Sequence, residues 1–381
     1  MMNMKLFFSN LEEPRQKAKT RHDLIEIIAM TIIAVAGDCD GWDEIEDFCT
    51  EHEEWLRETV GMALENGVPS ADTFERVWTR LDSKEFKKSF MQWAGSIRKK
   101  IKGEVISIDG KTSRGSEDEE HKAIHMVSAW LHDQRLVLGQ IAVEEKSNEI
   151  TAVPELVKML EIADCIITAD AMSCQKEIVK EIIKKKADYV IGLKGNQETL
   201  FEYAKLLFSD FMQNPDLYED ITTVETFDLG HGRIEKRIYH LSTDLSGFEQ
   251  KKLWTGLKAI GMVHSIVTNK KTGEVTEFDR YYIASVTDVQ TFAKAVREHW
   301  GIEASLHHVL DVSFHEDASK AHKDPAADNL AVIRHFALNA LSFLDVGKKN
   351  VSARRKRKMC GRNPQLLLLA LDKILSPKPA S

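Results

Sequence analysis

Near residue 104 the apolar pattern of the chain changes its period, and that change constrains the fold more than any other feature. Before it, Leu24, Ile27, Ile28, Thr31, Ile32 and Val35 recur at the three- and four-residue spacing of a helix. After it, Val105-Ile106-Ser107-Ile108-Asp109 is a compact β-branched run ending on an acid and a glycine. Ala123 to Trp130 alternates as a strand, and Arg135 to Val143 reads as a third after the Asp133-Gln134 break. A helix is expected from about Ile150 to Ile162, followed by the strand Cys165 to Asp170. The helix Gln175 to Lys186 and the strand Tyr189 to Leu193 come next.

Three successive strands and then alternating helix and strand is the order of a ribonuclease H-like mixed sheet, whereas a doubly wound sheet alternates from its first strand. Residues 197–280 interrupt the alternation with a short helix and strand-like pieces such as Arg237 to Leu241 and Gly261 to Val267. An insertion of that size is more often functional than idle. Tyr281 to Ser285 returns to strand, Val289 to Leu310 reads as one helix, and Ala326 to Leu344 as another. The expected fold is α/β: a ribonuclease H-like mixed sheet with a β-rich insertion and an N-terminal helical domain. The boundaries that follow are 1–100 for the helical domain, 101–345 for the sheet domain and 346–381 for a basic, helical C-terminal tail.

Composition excludes some classes. The chain of 381 residues is 43% hydrophobic and 29% charged, so it can bury a core without staples. Its five cysteines form no CxxC pair, which argues for a reducing compartment and against structural zinc. The apolar stretch Leu24 to Ala36 is too short to span a bilayer and contains Glu26, and no signal peptide is evident at MMNMKLFF. A cytoplasmic location is therefore expected. No Walker loop is present, so no nucleotide cofactor is indicated. The net charge of -8 does not favour nucleic acid, although local patches do the binding. Two basic runs, Arg98 to Lys102 and Arg354 to Lys358, read by themselves as solvated faces.

Asp109 closes the first strand and Asp170 the fourth, and in the expected sheet those strands are neighbours. Two carboxylates at adjoining strand ends repel each other unless a cation lies between them. Magnesium suits such a place, because it takes oxygen ligands and keeps waters for a substrate phosphate. A third acid from a late helix would complete a two-metal centre for phosphoryl transfer, with Mn2+ as a substitute for the two Mg2+ ions. Glu303 lies on a helix face with His299, Leu306, His307 and Leu310, but spacing alone leaves Asp311, Glu316 and Asp317 as competitors.

The run Ile108 to Ser116, with its Asp109-Gly110-Lys111-Thr112 core, resembles the first-aspartate motif of the H-repeat-associated, ISAs-type insertion-sequence transposases. Thr168-Ala169-Asp170-Ala171-Met172 with Gln175 is similar to their second-aspartate motif, and Lys194-Gly195-Asn196-Gln197 to the segment closing their next strand. His299 to His307, continuing through Leu310-Asp311-Val312 and Glu316 to Ser319, resembles their glutamate motif, and Gly67 to Asp82 their N-terminal associated domain. The likeness spans nearly the whole chain. It implies a DDE catalytic domain, selects Glu303 as the third ligand, and implies cleavage at transposon ends followed by strand transfer of the freed 3'-hydroxyl. Double-stranded DNA is then the partner, with a homodimer to pair two ends. A ribonuclease H-like nuclease without strand transfer and a domesticated, inactive DNA-binding copy are the competing readings.

One departure matters. Many related enzymes carry Tyr, Arg, Glu and Lys around the glutamate, where this chain has Val296, His299, Glu303 and Leu310. Their phosphate-gripping roles fall to other residues, for which His299, His307 and Lys194 are candidates. In the insertion, Arg233 and Arg237 are placed to reach a DNA backbone, and Trp254 to stack on an unpaired base.

Overall fold

A computed structural model describes residues 4–16, 18, 20–113, 124–143, 149–230, 232–316, 325–349 and 351–375. The helices before the sheet are α1 (Met4–Phe8), α2 (Leu24–Ala36), α3 (Trp42–Glu51), α4 (Glu53–Trp55), α5 (Ala71–Trp78) and α6 (Ser83–Ile97). Then come β1 (Val105–Ser113), β2 (Ile124–Leu131), β3 (Leu136–Val143), α7 (Glu149–Met159), β4 (Ile166–Ala169), α8 (Lys176–Lys184) and β5 (Asp188–Leu193). The segment read as an insertion, 197–280, holds α9 (Glu198–Gln213), β6 (Thr222–Gly230), β7 (Arg233–Ser242), β8 (Ala259–Asn269) and the first part of β9 (Val275–Ala284), which takes in the strand expected from Tyr281. The chain closes with α10 (Val289–His299), a π-helical turn Glu303–His307, α11 (His308–Phe314), α12 (Pro325–Phe343), α13 (Ala353–Arg362) and α14 (Pro364–Leu375).

Strand order is β3-β2-β1-β4-β5-β9-β8-β7-β6. The first five strands have the ribonuclease H-like arrangement, with β2 and β3 antiparallel and β1, β4 and β5 parallel. The strands of the insertion do not interrupt this sheet but extend it, because β9 pairs antiparallel with β5 and carries β8, β7 and β6 beyond it. The helix expected over 289–310 stops at His299 and resumes as the π-helical turn. The break is a turn at Trp300, after which Gly301 and Ile302 are again helical.

The chain divides into two compact units. One comprises Met1–Lys100, Gly110–Asn148 and Glu303–Ser381. Its α2 is buried at twelve of thirteen residues, so it is apolar on every side, and Asp23 caps its start by accepting the Glu26 N–H. Phe336 of α12 packs on Phe8, Phe86, Phe90 and Trp93 of α1 and α6. Asn339 of α12 bonds to both backbone groups of Val137 in β3, its Oδ1 accepting at 2.8 Å and its Nδ2 donating at 2.9 Å. A side chain thus satisfies the edge of that strand.

The same unit corrects one expectation. The run Arg354 to Lys358 is not wholly a solvated face, because Arg357 is completely buried. Its guanidinium donates to the carbonyls of Val35, Ser313 and Cys39 and to Asp40 Oδ1, and stacks over Phe314. A buried cation is tolerated only when its donors are used, and here they tie α13 to the end of α2.

The second unit comprises Ile101–Asp109 and Glu149–Ile302. Its core joins Val105, Ile166 and Val190 of the parallel strands to Tyr239, Val263 and Tyr282 of the added ones, under Phe292 and Val296 of α10. Gly261 permits that contact, since a Cβ there would lie 2.3 Å from the Phe292 ring. One helix therefore rests on both halves of the extended sheet.

Candidate active site

Asp109 and Asp170 fall where parallel pairing places them. The last printed pair of β1 and β4 is Ile108 with Ala169, so the two aspartates are the next residues on adjoining strands. Both are half-buried. Oδ1 of Asp170 accepts the N–H groups of Met172 (3.0 Å) and Ser173 (3.2 Å), which turns the chain sharply after the strand. That turn lies against Gly192 of β5, where a Cβ would come within 3.1 Å of the Ala171 nitrogen. Asn196 and Gln197, from the segment after β5, hold it by donating to the Ala171 and Cys174 carbonyls.

Burial raises the Asp170 pKa, and the charge of Glu149 raises it further. The two N–H bonds and the charge of Lys194 oppose the rise without cancelling it. Glu149, the buried first residue of α7, thus adds a third carboxylate to the Asp170 surroundings. Sequence reading missed it, because a Glu opening a helix is an ordinary dipole pairing. A carboxylate whose pKa is raised by burial and a like charge is a group that a cation would relieve.

The C-terminal end of α10 is fixed to the same strands. His299 Nδ1 is 3.1 Å from Thr168 Oγ1, Thr168 donates to Ser107 Oγ at 3.1 Å, and Ser107 reaches the Glu298 carbonyl at 3.5 Å. His299 is therefore committed to β4, two residues before Asp170. Glu303 follows it by four residues, on the π-helical turn.

In the other unit, Glu303 is largely exposed and lies 3.5 Å from Nδ1 of His307, which is buried. Burial lowers the His307 pKa, and Glu303 opposes this only in part. Nδ1 of His307 is placed to orient the Glu303 carboxylate. Two competitors for the glutamate's role are engaged elsewhere. Lys111 bonds to Asp311 and, at 2.6 Å, to Glu316. Burial pushes the Glu316 pKa up, but Lys111 and Arg334 outweigh it and leave it low. The third competitor, Asp317, lies outside the described residues, as do 114–116 and 318–319 of the motifs. Lys111 was missed as an anchor although it stands inside the first motif.

The remaining sequence candidates divide sharply. Lys194 and Arg233 are exposed. Arg237 is paired with Asp228 and Glu235. Trp254 is 4% exposed with Lys176 against its ring, so burial removes it from base stacking and the core role takes its place. Arg280 carried no sequence signal, and Trp300 was read only as part of the glutamate motif. Among the described residues, no helix is long and apolar enough to cross a membrane.

Residues 6–94 match the DDE_Tnp_1-associated family and residues 100–340 the transposase DDE domain. The protein YncI of Escherichia coli O157:H7 is 40% identical over 364 residues, covering 92% of this chain and 90% of its own. The H repeat-associated protein YhhI of Escherichia coli K12 is 37% identical over 373 residues, covering 95% and 96%. Both bear the word transposase in their names. A piggyBac transposase synaptic complex with hairpin DNA aligns at 12% identity and a TM-score of 0.44, over 98% of this chain and 80% of that one, which is too slight to argue from. With 100–340 matched by the DDE domain and the residues before it by the associated domain, the chain belongs to the H repeat-associated DDE transposase family.

Proposed function

We propose that the chain cleaves DNA at transposon ends and joins the freed 3'-hydroxyl to target DNA, with Asp109, Asp170 and Glu303 as its catalytic carboxylates. The observation that carries this is the placement of Asp109 and Asp170 on the ends of adjoining parallel strands, where burial and the charge of Glu149 raise the pKa of Asp170. Such oxygen donors fit divalent cations, Mg2+ before Mn2+. When bound, two such ions lower the pKa of the attacking water or hydroxyl and stabilise the leaving oxygen.

The residues of the chain do the rest. Met172 and Ser173 fix one Asp170 oxygen by their N–H groups. His299, committed to Thr168, holds the end of α10 against β4. His307, buried, orients Glu303 through a contact at 3.5 Å. Lys194 and Arg233, both exposed, are offered to the DNA backbone. Pairing two ends in one reaction calls for a homodimer on double-stranded DNA, and the reaction belongs in the cytoplasm at the nucleoid.

The test uses recombinant protein, Mg2+, an uncleaved and a pre-cleaved end duplex taken from the DNA flanking the gene, and a target plasmid. Joined product is expected from the wild type. Asp109→Asn is expected to abolish cleavage and joining while retaining duplex binding. Hydrolysis without joining would favour a nuclease, and binding without either reaction would favour an inactive copy. Cleavage that survives Asp109→Asn would sink the assignment.

A further inference from the structure

A phosphate held beside the carboxylates needs a cation near them, and Nδ1 of His299 is engaged by Thr168. One arginine of the same unit has the needed properties. Arg280 of β9 lies between two aromatic rings, its guanidinium carbon 4.6 Å from the Phe278 centroid and 4.5 Å from that of Trp300. The Trp300 ring is 48% exposed, so the stack forms part of the surface. Among the described residues no carboxylate or carbonyl accepts from Arg280, although nearby Arg237 and Arg297 both pair with Asp228. An arginine held flat by aromatics loses little entropy on binding, and its unused donors form a fork that matches a phosphate.

Its position follows from the sheet. Leu193 of β5 pairs with Tyr281, so Lys194 and Arg280 stand opposite each other one residue past that pair. Asp170, one residue past the pair Ala169–Ile191, is level with Gly192 on the same strand, two residues before Lys194. Alternation puts Arg280 on the face of Tyr282, whose ring meets Phe292 of α10 at 5.6 Å. Trp300 directly follows His299 at the end of that helix. Arg280, Lys194 and Asp170 thus share one end of the sheet.

We propose that Arg280, clamped between Phe278 and Trp300, binds a backbone phosphate of the DNA strand brought to the carboxylates. It supplies a cationic grip at the end of the sheet that carries Asp170. This rests on the transposase reading, and it names a residue for the contact that reading requires. Lys194 adds a point charge beside the fork, and the exposed Trp300 indole keeps the guanidinium plane fixed.

The test is binding of a fluorescein-labelled duplex of mixed sequence, measured by anisotropy across a salt series. Arg280→Gln is expected to weaken binding about tenfold and to make the slope of log affinity against log salt shallower by about one, the loss of one phosphate contact. Arg280→Lys should keep the slope and lose part of the affinity, because charge remains but the fork does not. Trp300→Ala should weaken binding less than Arg280→Gln, and Trp300→Phe should restore it. A purely structural role would shift thermal stability and leave the salt slope alone. An unchanged slope and affinity in Arg280→Gln overturns the proposal. Should that variant not fold, Arg280→Lys with unchanged affinity overturns it equally. A wild type that does not bind the duplex overturns the transposase reading and this proposal together, whereas a wild type that binds while the variants match it overturns the proposal alone.

Discussion

Two arginines in this chain stack on aromatic rings at nearly the same distance, and they do opposite things. Arg357 lies 4.6 Å from the Phe314 centroid, is completely buried, and has donors spent on three carbonyls and Asp40. Arg280 lies 4.5 Å from the Trp300 centroid, at the surface, and no protein acceptor uses its donors among the described residues. Ring stacking is thus no guide to role. What separates a structural cation from a binding one is whether the chain satisfies its hydrogen-bonding capacity. The first is closed, and its loss must damage the fold. The second is open, and its loss must damage recognition.

The sharpest way to break this contrast is Arg357→Ala. Removing the guanidinium leaves the carbonyls of Val35, Ser313 and Cys39 and the charge of Asp40 without their partner. Breaking a buried pair by deleting one side costs about 3–5 kcal/mol. Urea unfolding should register a loss of that size, with the salt slope of DNA binding unchanged in whatever fraction remains folded. A loss below about 1 kcal/mol would mean that satisfied donors do not mark a structural cation here.

A second test concerns a buried base in the same unit. His335 of α12 is 1% exposed, beside Phe90, and neither ring nitrogen has a hydrogen-bond partner among the described residues. Burial pushes its pKa down to about 4, although the Glu316 charge favours protonation. His307, Lys111 and Arg334 also act on it, each in the lowering direction. The unfolded chain takes up its proton near pH 6.5, while the folded one resists until about 4, so in that window the unfolded state holds more protons. Stability should therefore fall as pH falls through the window, by about 1 kcal/mol per pH unit. Urea titrations at several pH values should give a flatter profile for His335→Leu. His307, also lowered by burial, adds a slope of the same sign. A wild-type profile with no slope would mean that His335 is not buried as described.

What was legible in the sequence follows the same division. Asp109 and Asp170 could be read because a strand end is a local event: the β-branched run stops and an acid follows. Pairing of Ile108 with Ala169 then brought them level, as the strand order required. The sheet extension could not be read, since each strand of β6–β9 looks alike whether it forms a separate module or joins β5. Trp254 was open between base stacking and the commoner core role because composition does not say which aromatic is covered, and it is covered while Trp300 is not. Arg357 was hidden inside a run of basic residues whose neighbours are solvated. Its burial depends on α2 and α11, over three hundred residues and some forty residues away in the chain. Long-range contacts decide both the knot and the open fork, and local pattern carries neither.

The smallest expected effect completes the contrast. If Arg280 is open in the sense argued, Arg280→Gln should hardly change folding stability, because no acceptor is orphaned and only a stack is lost. A cation over an exposed ring contributes about 0.5–1 kcal/mol, and two rings here share one guanidinium. Urea unfolding should thus report a loss of about 1 kcal/mol or less, several-fold below that of Arg357→Ala. A loss as large as that of Arg357→Ala would mean that the protein, and not DNA, is what Arg280 serves. The two arginines would then differ only in exposure, and unspent donors would cease to identify a binding residue in this fold.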